Sequence, residues 1–147
     1  MQKLLISACL LGMRSRYDGE SRRAVTDAAL DALMKKYELV PFCPEIYGGL
    51  STPRVPAERV GDEYITKDGK NVTENYRRGA DEGLSLMRKL GVERALLKAR
   101  SPACGKGRIY DGSFTGTLTS GDGVLAERLI ECGFEVYTEE EIEKLLH

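Results

Sequence analysis

Leu39-Val40-Pro41-Phe42-Cys43-Pro44-Glu45-Ile46-Tyr47-Gly48-Gly49-Leu50-Ser51-Thr52-Pro53-Arg54 is the stretch from which the fold can be read. Its first four residues form a short apolar run, as expected of a strand covered on both faces. Where that strand should end, Cys43 and Glu45 stand two residues apart. Residues 46–54 are rich in Gly and Pro and carry neither a helical nor an alternating pattern, so they read as irregular backbone. A soft ligand, an acid and irregular chain at a strand end predict a site at the carboxyl edge of an open α/β sheet.

Two other strand-like runs end in the same way. Lys3 to Ala8 leads into Cys9, and Arg94 to Ala99 leads into Ser101-Pro102-Ala103-Cys104-Gly105. Leu10 to Gly19 reads as a loop with a turn at Asp18-Gly19. Ala28, Ala29, Leu30, Leu33, Met34 and Tyr37 then recur at helical spacing, which predicts a helix from about Thr26 to Tyr37. Strand, helix and strand in so short a span make a right-handed βαβ unit.

The segment Val55 to Lys70 interrupts this alternation. Glu63-Tyr64-Ile65-Thr66 followed by Lys67-Asp68-Gly69-Lys70 predicts half of a small hairpin with an Asp-Gly turn, inserted over the site. Thr73 is placed to cap the next helix, whose apolar face is Tyr76, Ala80, Gly83, Leu84, Met87 and Leu90, with Gly91 as C-cap. Gly105 to Gly123 holds six of the 16 glycines, which predicts a long irregular or hairpin-containing loop. A helix over about Asp122 to Glu131 stops at Gly133, and Phe134 to Tyr137 is a fourth strand. Thr138 with Glu141 forms a capping box for a last helix, Glu139 to Leu146. The predicted class is α/β. It is a small Rossmann-like open sheet of about four mainly parallel strands, with helices on both faces and a hairpin or loop insertion over the site. One domain spans residues 1–147.

Composition narrows the function. Lys and Arg number 22 against 23 Asp and Glu, a net charge of −1, so nothing in the charge balance calls for nucleic acid or a membrane surface. No apolar run reaches the ~18 residues of a membrane helix. Ile6-Ser7-Ala8-Cys9 resembles a lipoprotein cleavage box, but only Leu4-Leu5-Ile6 separate it from Lys3, too few for a signal sequence. The expected location is the cytoplasm, where four cysteines argue against a disulfide scaffold. No CxxC pair is present and the one histidine is the last residue, so any metal site must be assembled from distant positions, mostly from sulfur.

A parallel sheet would bring Cys9, Cys43 and Cys104 to one edge, because each follows a different strand. Cys132, at a helix end, is set apart as structural. Three such thiols admit several readings. They can be small buried hydrophobes. They can bind zinc with Glu45 as a fourth ligand, or an iron–sulfur cluster with one iron left open. One can be a redox or nucleophilic thiol, since Lys98, Arg100 and Lys106 lie near Cys104 in sequence and lower a thiol's pKa when close.

Several blocks, in order, resemble one family. They are Cys9-Leu10-Leu11-Gly12, Arg16-Tyr17-Asp18-Gly19, Cys43-Pro44-Glu45 with Gly48-Gly49-Leu50 and Pro53-Arg54, and Lys98 with Ser101-Pro102-Ala103-Cys104-Gly105. Gly69 with Asn71-Val72-Thr73, Gly79-Ala80, Tyr110-Asp111-Gly112 and Gly121-Asp122-Gly123-Val124 continue the pattern, which covers almost the whole chain. Each block alone is weak; together they are similar to the thiouracil desulfidases of the TudS type.

The resemblance implies a [4Fe-4S] cluster on three cysteines, mapping to Cys9, Cys43 and Cys104, with one open iron that takes the sulfur of a thiolated pyrimidine. It implies Glu45 and Ser101 as catalytic residues and a small thiobase as partner; the charge balance adds no reason to expect nucleic acid or a membrane. Two departures stand out: Ala103 where Ser is expected, and Asn71 where Asp is commoner. Lys98, Arg54 and Arg16 are the candidate substrate-binding cations, each with an ordinary reading as a salt-bridging or snorkelling side chain. Glu45 has a plain reading as a capping or salt-bridging carboxylate, and Ser101 as a turn residue. The main expectation is non-redox, hydrolytic removal of sulfur from a thiouracil-like base. The alternative is a metal- or cluster-binding sensor or sulfur carrier without turnover, for which an acid and a hydroxyl beside the thiols would have no use.

Overall fold

The computed structural model describes residues 1–20 and 24–147. Its central sheet contains β1 (Gln2–Ser7), β2 (Tyr37–Phe42), β5 (Arg94–Leu97) and β8 (Glu135–Thr138), in the order β2-β1-β5-β8. All three pairings are parallel. Side chains alternate across this sheet as the pleat requires. Leu5, Ala95 and Leu97 point to one face, where they pack with α3 (Thr73–Leu90) and α4 (Val124–Glu131) through Tyr76, Met87, Leu125 and Leu129. Leu4, Ile6 and Leu96 point to the other, against α1 (Asp27–Lys36) and α5 (Glu143–Leu146) through Leu30, Leu33 and Leu145. Continuous apolar runs are therefore buried on both faces, as the sequence requires.

The chain leaves β1 toward β2 on one side and returns to β5 on the other. The strand order reverses between β1 and β5, and this is where an open α/β sheet forms its crevice. Two antiparallel hairpins lie outside the sheet: β3 (Ala57–Val60) with β4 (Glu63–Thr66), and β6 (Arg108–Tyr110) with β7 (Leu118–Ser120). The inserted hairpin and the hairpin-containing glycine-rich loop are both present. Among the described residues, no helix is long and apolar enough to cross a membrane.

Local details differ from the sequence expectations. Thr26 caps α1, its hydroxyl accepting from the Ala29 amide at 3.2 Å, but Tyr37 is the first residue of β2 rather than the last of the helix. Tyr37 reaches the same apolar cluster from extended backbone, so its burial mimics a helical position. The hairpin partner of β4 is the preceding strand, and the turn between them is at Gly61-Asp62. The Asp68-Gly69 turn forms, yet it returns the chain to only one bridge, Ile65 to Asn71. Thr73 does not cap α3. Its hydroxyl accepts from the Tyr64 amide, and Asn71 Oδ1 accepts from the Thr73 amide instead. The last predicted helix is split into a 3-10 turn, Glu139–Glu141, and α5, although the capping box between Thr138 and Glu141 is present.

The stretch after β2 holds an unforeseen element. Pro44–Tyr47 forms one short helix, α2, with Pro44 at a position where a missing N–H costs nothing. It lies directly on α3. A Cβ on Gly79 would overlap the Pro44 carbonyl oxygen, and one on Gly48 would overlap the Asn75 carbonyl oxygen. Glycine at both positions allows the two backbones to lie so close, and that contact sets where Cys43 and Glu45 stand.

Candidate active site

A cavity of about 440 Å³ opens at the carboxyl edge of the sheet, over the β1/β5 reversal. Cys9, Arg16, Cys43, Glu45, Arg54, Lys98, Ser101 and Cys104 all line it. Its three thiols follow β1, β2 and β5, which is how parallel strands gather residues far apart in sequence. The hairpin β3–β4 and the turns flanking it add Pro56, Ala57, Glu58 and Lys67 to the wall, and the β6–β7 hairpin adds Tyr110 and Phe114.

The thiols are held differently. Cys9 sits in the 3-10 turn Ala8–Leu11 that ends β1. Cys43 is the residue before α2 and directs its thiol toward the Ser15 carbonyl at 3.9 Å. Cys104 is buried on a tight turn closed by the Gly105 amide on the Ser101 carbonyl at 2.8 Å. That turn is docked on α4: the Val124 and Leu125 amides donate to the Pro102 and Ala103 carbonyls at 3.0 and 2.8 Å. The amides at the start of α4 thus serve the chain's own turn rather than an external anion. Cys9, Cys43 and Cys104 are free thiols, as is Cys132, which is exposed.

Charge and burial make the three cavity thiols reluctant acids. Burial, then the neighbouring Cys43, pushes Cys9 up to about 11, against a smaller opposing pull from Lys98. Burial likewise raises Cys43. Burial raises Cys104 well above the usual thiol value, with Cys43 and Cys9 adding to the rise and the Ser7 hydroxyl opposing it. Thiols that disfavour one another's negative charge are a donor set awaiting a cationic group, since metal ligation requires deprotonated sulfur. Among the described residues, no three His, Cys, Asp or Glu side chains close around a single ion. Three free thiols lining one cavity, with cationic side chains also on it, fit a cluster bound through sulfur.

Glu45 is held by two donors on one oxygen. Its Oε2 accepts from Arg54 Nε at 2.8 Å and from the Tyr76 hydroxyl at 3.1 Å. Arg54 is fixed in turn by the Ser15 and Ser51 carbonyls and the Thr52 hydroxyl. Ser101 accepts at its hydroxyl from the Ala103 and Cys104 amides at 3.0 and 3.1 Å. With both lone pairs engaged, that hydroxyl is left as a donor rather than a base. Lys98 Nζ donates to Glu139 Oε2 at 2.7 Å and to the Ala99 carbonyl at 3.3 Å. Arg16 forks onto Asp18, both contacts at 3.3 Å. Each candidate cation therefore has a protein partner as well as a place on the cavity.

Four further residues on the cavity or holding its lining carry little signal in the sequence. Tyr76 reads only as part of an apolar helix face, and nothing in its spacing betrays the role of its hydroxyl. Glu139 reads as the start of a helix, yet its carboxylate also accepts from the Ala99 amide at 2.7 Å. Glu58 and Phe114 come from hairpins whose pairing the sequence pattern does not resolve.

A switch-point cavity lined by three free thiols and a buttressed carboxylate is that of an α/β enzyme. Residues 4–141 match the 2-thiouracil desulfurase family, and the chain belongs to it. The solved structure of the [4Fe-4S]-dependent thiouracil desulfidase TudS is similar at 44% sequence identity and a TM-score of 0.92, over 99% of this chain and 95% of that one. The uncharacterized protein YbbK of Bacillus subtilis (strain 168) is 35% identical, covering 97% of this chain and 99% of its own length.

Proposed function

We propose that this cavity exchanges the sulfur of a thiouracil-like base for a water oxygen, releasing the oxygenated base and sulfide. The reading rests on family membership, on the similarity to a [4Fe-4S]-dependent desulfidase, and on the thiols and carboxylate that line one cavity. The carrying observation is the pairing of Cys43 with Glu45 across the start of α2, which puts an acid two residues from a proposed ligand.

Cys9, Cys43 and Cys104 would hold the [4Fe-4S] cluster, leaving one iron without a protein ligand. When bound, it supplies Lewis acidity toward sulfur and a destination for the departing sulfide. The remaining work belongs to side chains. Glu45 presents Oε1, the oxygen not used by Arg54 and Tyr76, and takes a proton from the attacking water. Glu45 then gives that proton to the departing sulfide or a ring nitrogen of the product. Because C=S and C=O carbon share one oxidation state, no net electron transfer is needed. Ser101 donates its hydroxyl hydrogen to an oxygen or nitrogen of the base. Arg54 holds Glu45 in place, while Lys98 and Arg16 form the positive side of the cavity.

The test is incubation of protein purified without oxygen with 2-thiouracil in H₂¹⁸O. Uracil with one ¹⁸O and one equivalent of sulfide is the expected outcome. A loaded protein that binds thiouracil and releases no uracil favours the sensor or sulfur-carrier reading.

A further inference from the structure

Phe114 is out of place for a structural aromatic. It belongs to neither apolar cluster of the core. It sits in the connection between β6 and β7, where residues 111, 113, 115, 116 and 117 are exposed. Its backbone is left-handed, with φ +58°, a conformation that a bulky residue adopts only when its surroundings impose it. The residue is half-buried, and what it lines is the cavity.

The surroundings that impose this conformation are identifiable. Glu58, on β3 and only 8% exposed, accepts at Oε1 from the Gly112 amide at 2.9 Å and the Phe114 amide at 3.1 Å. Gly112 lies so close to β3 that a Cβ there would be 2.9 Å from Val60 Cγ2. Asp111 closes the loop from below, donating its amide to the Thr117 carbonyl and accepting from the Ser113 amide. A buried carboxylate is costly unless hydrogen-bonded. This one is committed to holding a strained aromatic on a cavity that also presents Tyr17 and Tyr110, while the cavity's other two rings, Phe42 and Tyr76, are already stacked on Tyr47 and Tyr64.

We propose that Phe114 is the aromatic platform on which the pyrimidine ring stacks, and that Glu58 is the positioning residue that holds the platform. The inference rests on the thiobase reading of the cavity. Every pyrimidine has a π face, so a ring platform adds affinity without reading the sulfur. Its contribution is uniform binding, present in substrate, product and transition state alike. Loss of the ring should therefore act on KM and on product affinity much more than on kcat.

The experiment uses protein purified without oxygen, and reads iron per chain, the uracil Kd by calorimetry, and KM and kcat for 2-thiouracil. Phe114→Leu should keep its iron and weaken both uracil binding and KM about tenfold, within the range of base–aromatic stacking. Phe114→Tyr should stay within about twofold of the parent. Glu58→Ala should reproduce the Leu phenotype, and Glu58→Gln, which keeps an acceptor oxygen, should recover most of it. Phe114→Leu alters an exposed loop, so it decides the proposal even if Glu58→Ala does not fold. A Phe114→Leu protein with parental uracil affinity overturns the inference. A Glu58→Ala protein that folds and binds uracil normally overturns the positioning role. A parent that never converts thiouracil overturns the functional reading instead.

Discussion

Tyr76, on α3, donates its hydroxyl hydrogen to Glu45 Oε2, on α2, at 3.1 Å. Arg54 takes the same oxygen at 2.8 Å, so both donors pull on one side of the carboxylate and Oε1 has no partner among the described residues. Two donors on one oxygen fix the rotation of the group and select which oxygen meets water. Tyr76→Phe removes one of them while preserving the ring that stacks on Tyr64 at 4.7 Å. Turnover should fall about tenfold, in line with loss of a hydrogen bond to a charged group. Iron per chain should be unchanged. Parental kcat in this variant would mean that Arg54 alone orients Glu45.

The glycine contact between α2 and α3 should be equally consequential. Gly79→Ala drives a methyl into the Pro44 carbonyl oxygen, a backbone atom that cannot rotate away. We expect a loss of about 1–3 kcal/mol in urea unfolding, the usual range for overpacking. Because α2 follows Cys43 directly, iron retained per chain should drop as well. A variant as stable as the parent would show that α2 moves freely.

Lys98 and Glu139 give a third test. Glu139 is nearly buried, with its side chain 8% exposed, and joins the end of β5 to the turn after β8. Glu139→Ala deprives both Lys98 Nζ and the Ala99 amide of an acceptor. Unfolding in urea should show a loss of about 1–3 kcal/mol. Glu139→Gln keeps an acceptor for the amide and should lose less. Equal losses would assign the whole effect to the ion pair.

The cysteines can be sorted by metal content. Ala substitution of Cys9, Cys43 or Cys104 should each abolish iron and acid-labile sulfide in protein handled without oxygen. Cys132 is exposed at the end of α4, away from the cavity lining, and Cys132→Ala should retain both. Loss of iron from Cys132→Ala as complete as from Cys9→Ala would contradict the ligand assignment.

What is legible in the sequence comes from period and punctuation. Apolar runs ending in Cys9, Cys43 and Cys104 reveal parallel strands and their common edge, because a strand covered on both faces needs apolar residues at every position. Glu45 is legible through its spacing from Cys43. Partners supplied by tertiary contact are not. Tyr76 shows only its apolar ring, Glu58 only a charge in a short strand, and Glu139 only a helix start. The hairpin pairing of β4 is hidden because Asp68-Gly69 is a stronger turn signal than Gly61-Asp62, although the latter joins the longer ladder. Ser101 shows its turn reading, its hydroxyl accepting from the Ala103 and Cys104 amides, while its catalytic part stays a proposal that rests on its place on the cavity.

The central claim is that Glu45 moves the proton of the attacking water, and Glu45→Gln tests it most directly. Glutamine keeps the shape and still accepts from Arg54 and Tyr76, but cannot act as a base. The measurement is single-turnover release of uracil from 2-thiouracil, with iron per chain and thiouracil affinity determined on the same sample. Expected are parental iron, retained thiouracil binding, and a rate lower by about 10²–10⁴, the usual range for general acid–base groups. A Gln variant that releases uracil near the parental rate would contradict that role and leave Glu45 a structural partner of Arg54.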